Sequence, residues 1–162
     1  MAELSSRPPG AEYLSLDILT PDGRVDLRLA EGGKPGGGEK GPIEVEGVQV
    51  PAALGEMGVR PRHIPFLTPV VPGVVRFRYD GADRRMAVGS GFLEISETGV
   101  VTLLTERAVR SWEVKVDDAR KDLDEVTSEL KQHAQAAIDD ATVLKLKARR
   151  DWLDAQLRAA TG

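Results

Sequence analysis

The chain has 162 residues, enough for one ordinary domain or two small ones. Lys and Arg number 22 against 26 Asp and Glu, a formal net charge of −4 that speaks against a dedicated nucleic-acid binder. Cysteine is absent, which excludes disulfide staples, thiolate metal sites and cysteine nucleophiles, and His63 and His133 leave little for imidazole chemistry.

Glycine and proline divide the chain. All ten prolines lie at or before Pro72, and every glycine except Gly162 lies at or before Gly99. These residues punctuate strands and weaken helix interiors. A turn-rich first part and a helical second part are therefore expected. Residues 1–12 read as a disordered or extended N-terminus with no apolar signal core. No run approaches the roughly eighteen apolar residues that would cross a membrane, so any membrane association is expected only through partners.

Leu14, Leu16 and Ile18 alternate with Ser15 and Asp17, a half-buried strand that ends at the turn Thr20-Pro21-Asp22-Gly23. Residues 31–41 (EGGKPGGGEKG) contain six glycines and no packing hydrophobe, which predicts a flexible loop. The stretch lacks the spacing of a phosphate-binding loop. Ile43 to Val50 carries two short apolar alternations, out of phase across Gly47. Val75, Phe77 and Tyr79 alternate with Arg76 and Arg78 up to Asp80-Gly81, a hairpin signal with Arg85 to Val88 returning. Phe92–Ile95 and Val100–Leu104 flank the turn Glu97-Thr98-Gly99. Short strands in series suggest an antiparallel sandwich or barrel over 13–107.

From residue 108 the pattern is helical. Ala119, Leu123, Val126, Leu130 and Ala134 form one stripe behind Asp117 and Asp118, whose charge suits a helix start. Ala136 to Asp140 reads as a turn, with Asp139 or Asp140 capping a second helix. Its stripe is Ala141, Leu144, Ala148, Trp152, Ala155 and Ala159, widened by Leu146, Leu153 and Leu157. The fold class is thus α+β: an N-terminal antiparallel β-sandwich, then a C-terminal antiparallel two-helix hairpin over 108–162. So small a hairpin buries little by itself and must dock on the sandwich or on another protein.

Gly55-Glu56-Met57-Gly58-Val59-Arg60-Pro61-Arg62-His63-Ile64-Pro65-Phe66-Leu67-Thr68, followed by Pro72-Gly73, resembles the signature loop of the epsilon subunit family of F-type ATP synthase. Leu16–Val25 resembles that family's opening strand and turn, and Ala87–Leu104 its last two strands. Arg60 departs from the family's usual aliphatic or aromatic residue, and the glycine-rich loop is an insertion. The resemblance implies a non-catalytic rotor subunit on the cytoplasmic face of a bacterial inner membrane, with an organellar home left open. Its sandwich would join the gamma subunit to the c-ring through a contact loop containing Gly55, Glu56, Met57, Gly58, Arg60, Arg62 and His63. Read from the residues alone, the same stretch is an ordinary polar loop shaped by its glycines and Pro61.

The hairpin would be the family's regulatory element, extending toward the alpha and beta catalytic subunits to hold back ATP hydrolysis. Lys145, Lys147, Arg149 and Arg150 are then candidates for a beta-subunit contact, although such a run is equally a solvated helix face. Asp117 and Arg120 match part of a motif by which some members bind a regulatory ATP at the hairpin. Trp152 and Gln156 fall near the later arginines of that motif, and a helix cap with an intrahelical charge pair explains Asp117 and Arg120 as well. No other cofactor, no metal, no catalytic residue and no nucleic-acid partner is expected. Outside the resemblance, the alternative is a free-standing β-domain with a helical arm acting as an interaction module. An enzyme is disfavoured because no nucleophile, base and orienting group converge in the sequence.

Overall fold

The computed structural model describes residues 12–33 and 40–162. The expected N-terminal tail, except Glu12, and the centre of the glycine-rich loop lie outside them. Eleven strands come first: β1 (Leu14–Thr20), β2 (Gly23–Arg24), β3 (Ile43–Val45), β4 (Val48–Ala52), β5 (Gly55–Val59), β6 (Phe66–Val70), β7 (Gly73–Tyr79), β8 (Ala82–Val88), β9 (Gly91–Ile95), β10 (Val100–Thr105) and β11 (Ala108–Arg110). A 3₁₀ turn, Ser111–Glu113, leads into α1 (Val116–Gln132) and α2 (Ala141–Thr161).

The strands hydrogen-bond in the order β11-β8-β7-β4-β6-β9-β10-β1-β2, with β3 on β1 and β5 on β4. The sheet curls so that both halves share one core. Leu16 and Ile18 of β1, Val50 of β4, Val75 of β7, Leu93 of β9 and Leu103 of β10 are fully buried within one cluster. Each such side chain contributes about 1.5–3 kcal/mol by leaving water. This is the expected sandwich. Among the described residues every pairing is antiparallel except one: β1 runs parallel to β10, with Leu16 beside Val101 and Ile18 beside Leu103. The β7–β8 hairpin turns on Asp80 and Gly81, both at positive φ (51° and 73°), the geometry whose twist suits a two-residue hairpin.

The sheet runs three residues past the expected boundary at 107, because β11 pairs with β8 through Ala108–Val88 and Arg110–Met86. Much of the stretch read as a signature loop is strand, since β5 and β6 occupy Gly55–Val59 and Phe66–Val70.

Both helices form where expected, and α2 has the expected cap. The Asp140 carboxylate accepts hydrogen bonds from the Thr142 and Val143 amides at 2.9 and 3.1 Å. At α1 the cap position is Lys115, with no side-chain capping bond; Asp117 and Asp118 sit inside the first turn. Their contribution there is charge against the helix dipole, not a cap.

The α2 stripe also needs correction. Leu144 is half-exposed, and Ala141 and Ala148 face solvent, while Val143, outside the expected stripe, is buried along with the expected Leu146. Ala134 at the end of the α1 stripe is exposed as well. The reason is that α2 is the middle layer. One side, Trp152, Ala155 and Ala159, packs on Val74 of β7 and Ala87 of β8. The other, Leu146 and Leu153, meets Ala119 and Val126 of α1. A helix buried on two sides does not show a single clean stripe. The hairpin thus docks on the sandwich through α2. Arg107 reinforces the seat by lying 4.6 Å from the centre of the Trp152 ring. No described helix is long and apolar enough to cross a membrane.

Candidate partner-binding surface

The β4–β5 hairpin turns through Ala53 and Leu54, aided by Gly55 at φ 126°. Strand alternation sends Val59 into the core, leaves Met57 partly buried against it, and turns Glu56 and Gly58 outward. The Glu56 carboxylate accepts a hydrogen bond from Arg76 Nη1 of β7 at 3.2 Å. The chain then turns through residues 60–65. The His63 amide donates to the Arg60 carbonyl at 3.2 Å, and Arg62 takes a left-handed φ of 64°. Arg62 pairs with Glu12. His63 Nδ1 lies 2.8 Å from the Ile64 carbonyl, so an Nδ1–H tautomer ties the ring to the loop backbone. Arg60 is exposed and joins no ion pair among the described residues. The expected contact residues are therefore gathered along one strand and the turn after it, with Glu56 and Arg62 already partnered within the chain.

A second surface was not anticipated. β1, β6, β9 and β10 carry the apolar doublets Ile18-Leu19, Phe66-Leu67, Phe92-Leu93 and Leu103-Leu104. Alternation forces one member of each pair away from the core. The register puts Pro69 beside Phe92, Phe92 beside Leu104 and Leu104 beside Leu19, so these residues form a row across β6, β9, β10 and β1. Phe92 is 53% exposed, Leu104 48% and neighbouring Leu67 66%. The doublets were the available signal, because a sheet with one face in water shows strict alternation instead. A contiguous exposed apolar row is a candidate partner-binding surface. The hairpin leaves it open, since α2 sits on β7 and β8.

The hairpin residues are less assembled. Asp117 and Arg120 stand exposed on α1 and form no ion pair with each other. Trp152, near the position of a later family arginine, is turned to the sheet beneath Arg107. Of the four candidate cations between Lys145 and Arg150, Arg149 reaches Asp122 of α1 at 3.6 Å and Arg150 pairs with adjacent Asp151 at 2.9 Å. Lys145 and Lys147 join no ion pair among the described residues. Among those residues no group of three or more His, Asp or Glu could hold a metal ion.

Residues 42–111 match the family model for the beta-sandwich domain of the ATP synthase delta/epsilon chain. The ATP synthase epsilon chain of Anaeromyxobacter sp. (strain K) is 34% identical over 119 residues, covering 74% of this chain and 78% of the relative. The chain belongs to the ATP synthase epsilon-chain family. The epsilon chain of Nitratidesulfovibrio vulgaris (strain DP4) is 35% identical over 136 residues, 79% of this chain and 90% of its own. The fold is shared with a chain of the Euglena gracilis mitochondrial ATP synthase, at a TM-score of 0.70 and 21% identity, covering 98% of this chain and 86% of that one. A chain of the Tetrahymena thermophila mitochondrial ATP synthase central stalk and c-ring superposes with a TM-score of 0.58 at 10% identity, covering 93% and 98%. As an epsilon chain, the protein is a non-catalytic subunit of ATP synthase.

Proposed function

We propose that the chain couples the gamma subunit to the c-ring at the foot of the rotor and holds back ATP hydrolysis through its hairpin. The observation that carries this reading is the open apolar row Leu19–Leu104–Phe92–Pro69. It is placed on a rigid sandwich and left uncovered by the chain's own helices. Burying it against gamma supplies affinity, while the polar strand and turn from Glu56 to His63 meet the ring. The coupling is mechanical: torque passes through a packed body that changes partners only at its arm.

The arm is suited to a change of partner. Its seat on the sandwich is made by three buried α2 residues, Trp152, Ala155 and Ala159. When α2 leaves the sheet it carries Lys145, Lys147, Arg149 and Arg150 toward an acidic segment of the beta subunit. Each exposed pair there contributes under about 1 kcal/mol and weakens with salt. A regulatory ATP would rely here on Asp117 and Arg120. The bacterial relatives support a place on the cytoplasmic face of the inner membrane, held there by partners. The free-standing reading has no observation in its favour.

The test is removal of residues 111–162, a cut just after β11. Assembly with the complex is expected to persist and its ATP hydrolysis to rise. Unchanged hydrolysis sinks the brake; loss of assembly with an intact sandwich sinks the division of labour between body and arm.

A further inference from the structure

The chain enters the arm through residues 111–115, between β11 and α1, so a swing of the hairpin pivots there. This pivot is held from outside the hairpin. The connector from β2 to β3, which contains the glycine-rich insert, meets it at Arg110, the last residue of β11. The Arg110 amide and its guanidinium Nη1 donate to the two oxygens of the Glu113 carboxylate at 3.1 and 3.0 Å, which closes the 3₁₀ turn. Arg110 Nη2 donates to the Asp26 carbonyl of the connector at 2.7 Å. The Arg110 side chain is 16% exposed, so water competes little for these bonds. Trp112, inside the pivot, walls a small cavity together with Leu27 and Leu29 of the connector and Phe77 and Met86 of the sheet. The connector is itself pinned. Leu27 is buried in the sandwich core, and the Arg84 guanidinium donates to the Leu29 carbonyl. Arg28 Nη1 and Nη2 donate to the Gly41 and Pro42 carbonyls at 3.4 and 3.1 Å, which ties the two ends of the connector together.

We propose that this connector is a clasp on the arm: by fixing Arg110 for Glu113 and walling in Trp112, it sets how readily the pivot opens and α2 leaves its seat. The physical basis is preorganisation. A guanidinium already held by the Asp26 carbonyl gives up less freedom when it binds Glu113. Opening the turn then breaks two charge-assisted hydrogen bonds and uncovers Trp112. Whatever pulls the connector out of place reaches the arm through Arg110, so the insert gains a regulatory role that its composition alone does not suggest. That consequence rests on the reading that the arm changes partners. The clasp itself is a property of the isolated chain and is tested there, so its failure leaves the brake reading standing.

The experiment is amide hydrogen exchange in the full chain, read as the ratio of α2 rates to those of β1, β9 and β10. Leu29→Ala changes no residue of the hairpin and is expected to raise that ratio about two- to tenfold, the reach of roughly one net hydrogen bond. Arg110→Gln, which removes the charged bridge, is expected to move it in the same direction. The double variant should fall short of the product of the two single effects, because both act through one clasp. A Leu29→Ala ratio equal to wild type overturns the proposal, whether its rates are unchanged or rise alike in α2 and in the sheet. A double variant that reaches the full product overturns it too. Should Arg110→Gln fail to fold, Glu113→Gln takes its place in the cycle, with the same shortfall expected and the same full product overturning the clasp.

Discussion

A methyl group on Gly91 would lie 1.8 Å from the Leu104 carbonyl oxygen, and the obstacle is backbone that cannot swing aside. Gly91 pairs with Thr105 on one side and Val70 on the other, so the close approach lies inside the ladder. Gly91→Ala is expected to destabilise the sandwich by about 3 kcal/mol, read from denaturant midpoints. Gly58 is the control. A Cβ there meets nothing within 4 Å, so Gly58→Ala should stay within about 0.5 kcal/mol of wild type. A second residue-scale asymmetry lies at Asp17. Its carboxylate is buried and accepts hydrogen bonds from Arg24 Nε at 3.1 Å and Nη2 at 2.9 Å, while Oδ1 has no partner. The Arg24 side chain is 40% exposed. Removing Arg24 strands a buried charge, whereas removing Asp17 leaves a cation that water can reach. Arg24→Ala should therefore cost about 2 kcal/mol, and Asp17→Ala less, in the same unfolding measurement.

At the scale of elements the informative one is α2, buried on both sides. Trp152 is its largest contact with the sheet, and Arg107 covers the ring. In a Trp112→Phe background, where Trp152 is the only indole, Arg107→Ala should shift its fluorescence toward that of a hydrated indole. Trp152→Ala should raise protease cleavage within 141–161 while leaving the unfolding of the sandwich nearly unchanged. If the sandwich loses as much stability as the arm, the two are one cooperative unit and the arm is not separable. The hairpin's existence, its turn and the Asp140 cap were legible, because spacing and capping are local properties. The burial of Leu146, Trp152, Leu153, Ala155 and Ala159 was legible in the α2 stripe; the burial of Val143 and the exposure of Ala141, Leu144 and Ala148 were not, because the sheet and α1 take α2 from two sides. Likewise the strands flanking Asp80-Gly81 announced themselves by alternation. β5 did not, because Gly55 and Gly58 dilute its pattern and only pairing with β4 reveals it. The apolar row was written in the doublets, yet its continuity depends on register across four strands, which no single segment encodes.

For the molecule as a whole, the two outer faces differ in what covers them. The β7–β8 side carries the hairpin, and the β6–β9–β10–β1 side keeps its apolar row. Charges placed in that row should cut association without unfolding anything. Phe92→Asp combined with Leu104→Asp is expected to keep the thermal midpoint close to wild type and to abolish co-purification with ATP synthase. Retained co-purification would show that the row is not the contact. The parallel pairing of β1 with β10 bears on how the molecule comes into being. Ser15 finds its β10 neighbour at Val100, roughly eighty-five residues later. At a translation rate of about 5–20 residues per second, a nascent β1 waits about 4–17 s for that neighbour. During this interval an apolar strand lacks half of its final company, and long-range closure of this kind is slow. The sandwich therefore cannot be sealed until its last long strand emerges, which makes the newborn chain, rather than the mature one, the stage most exposed to aggregation.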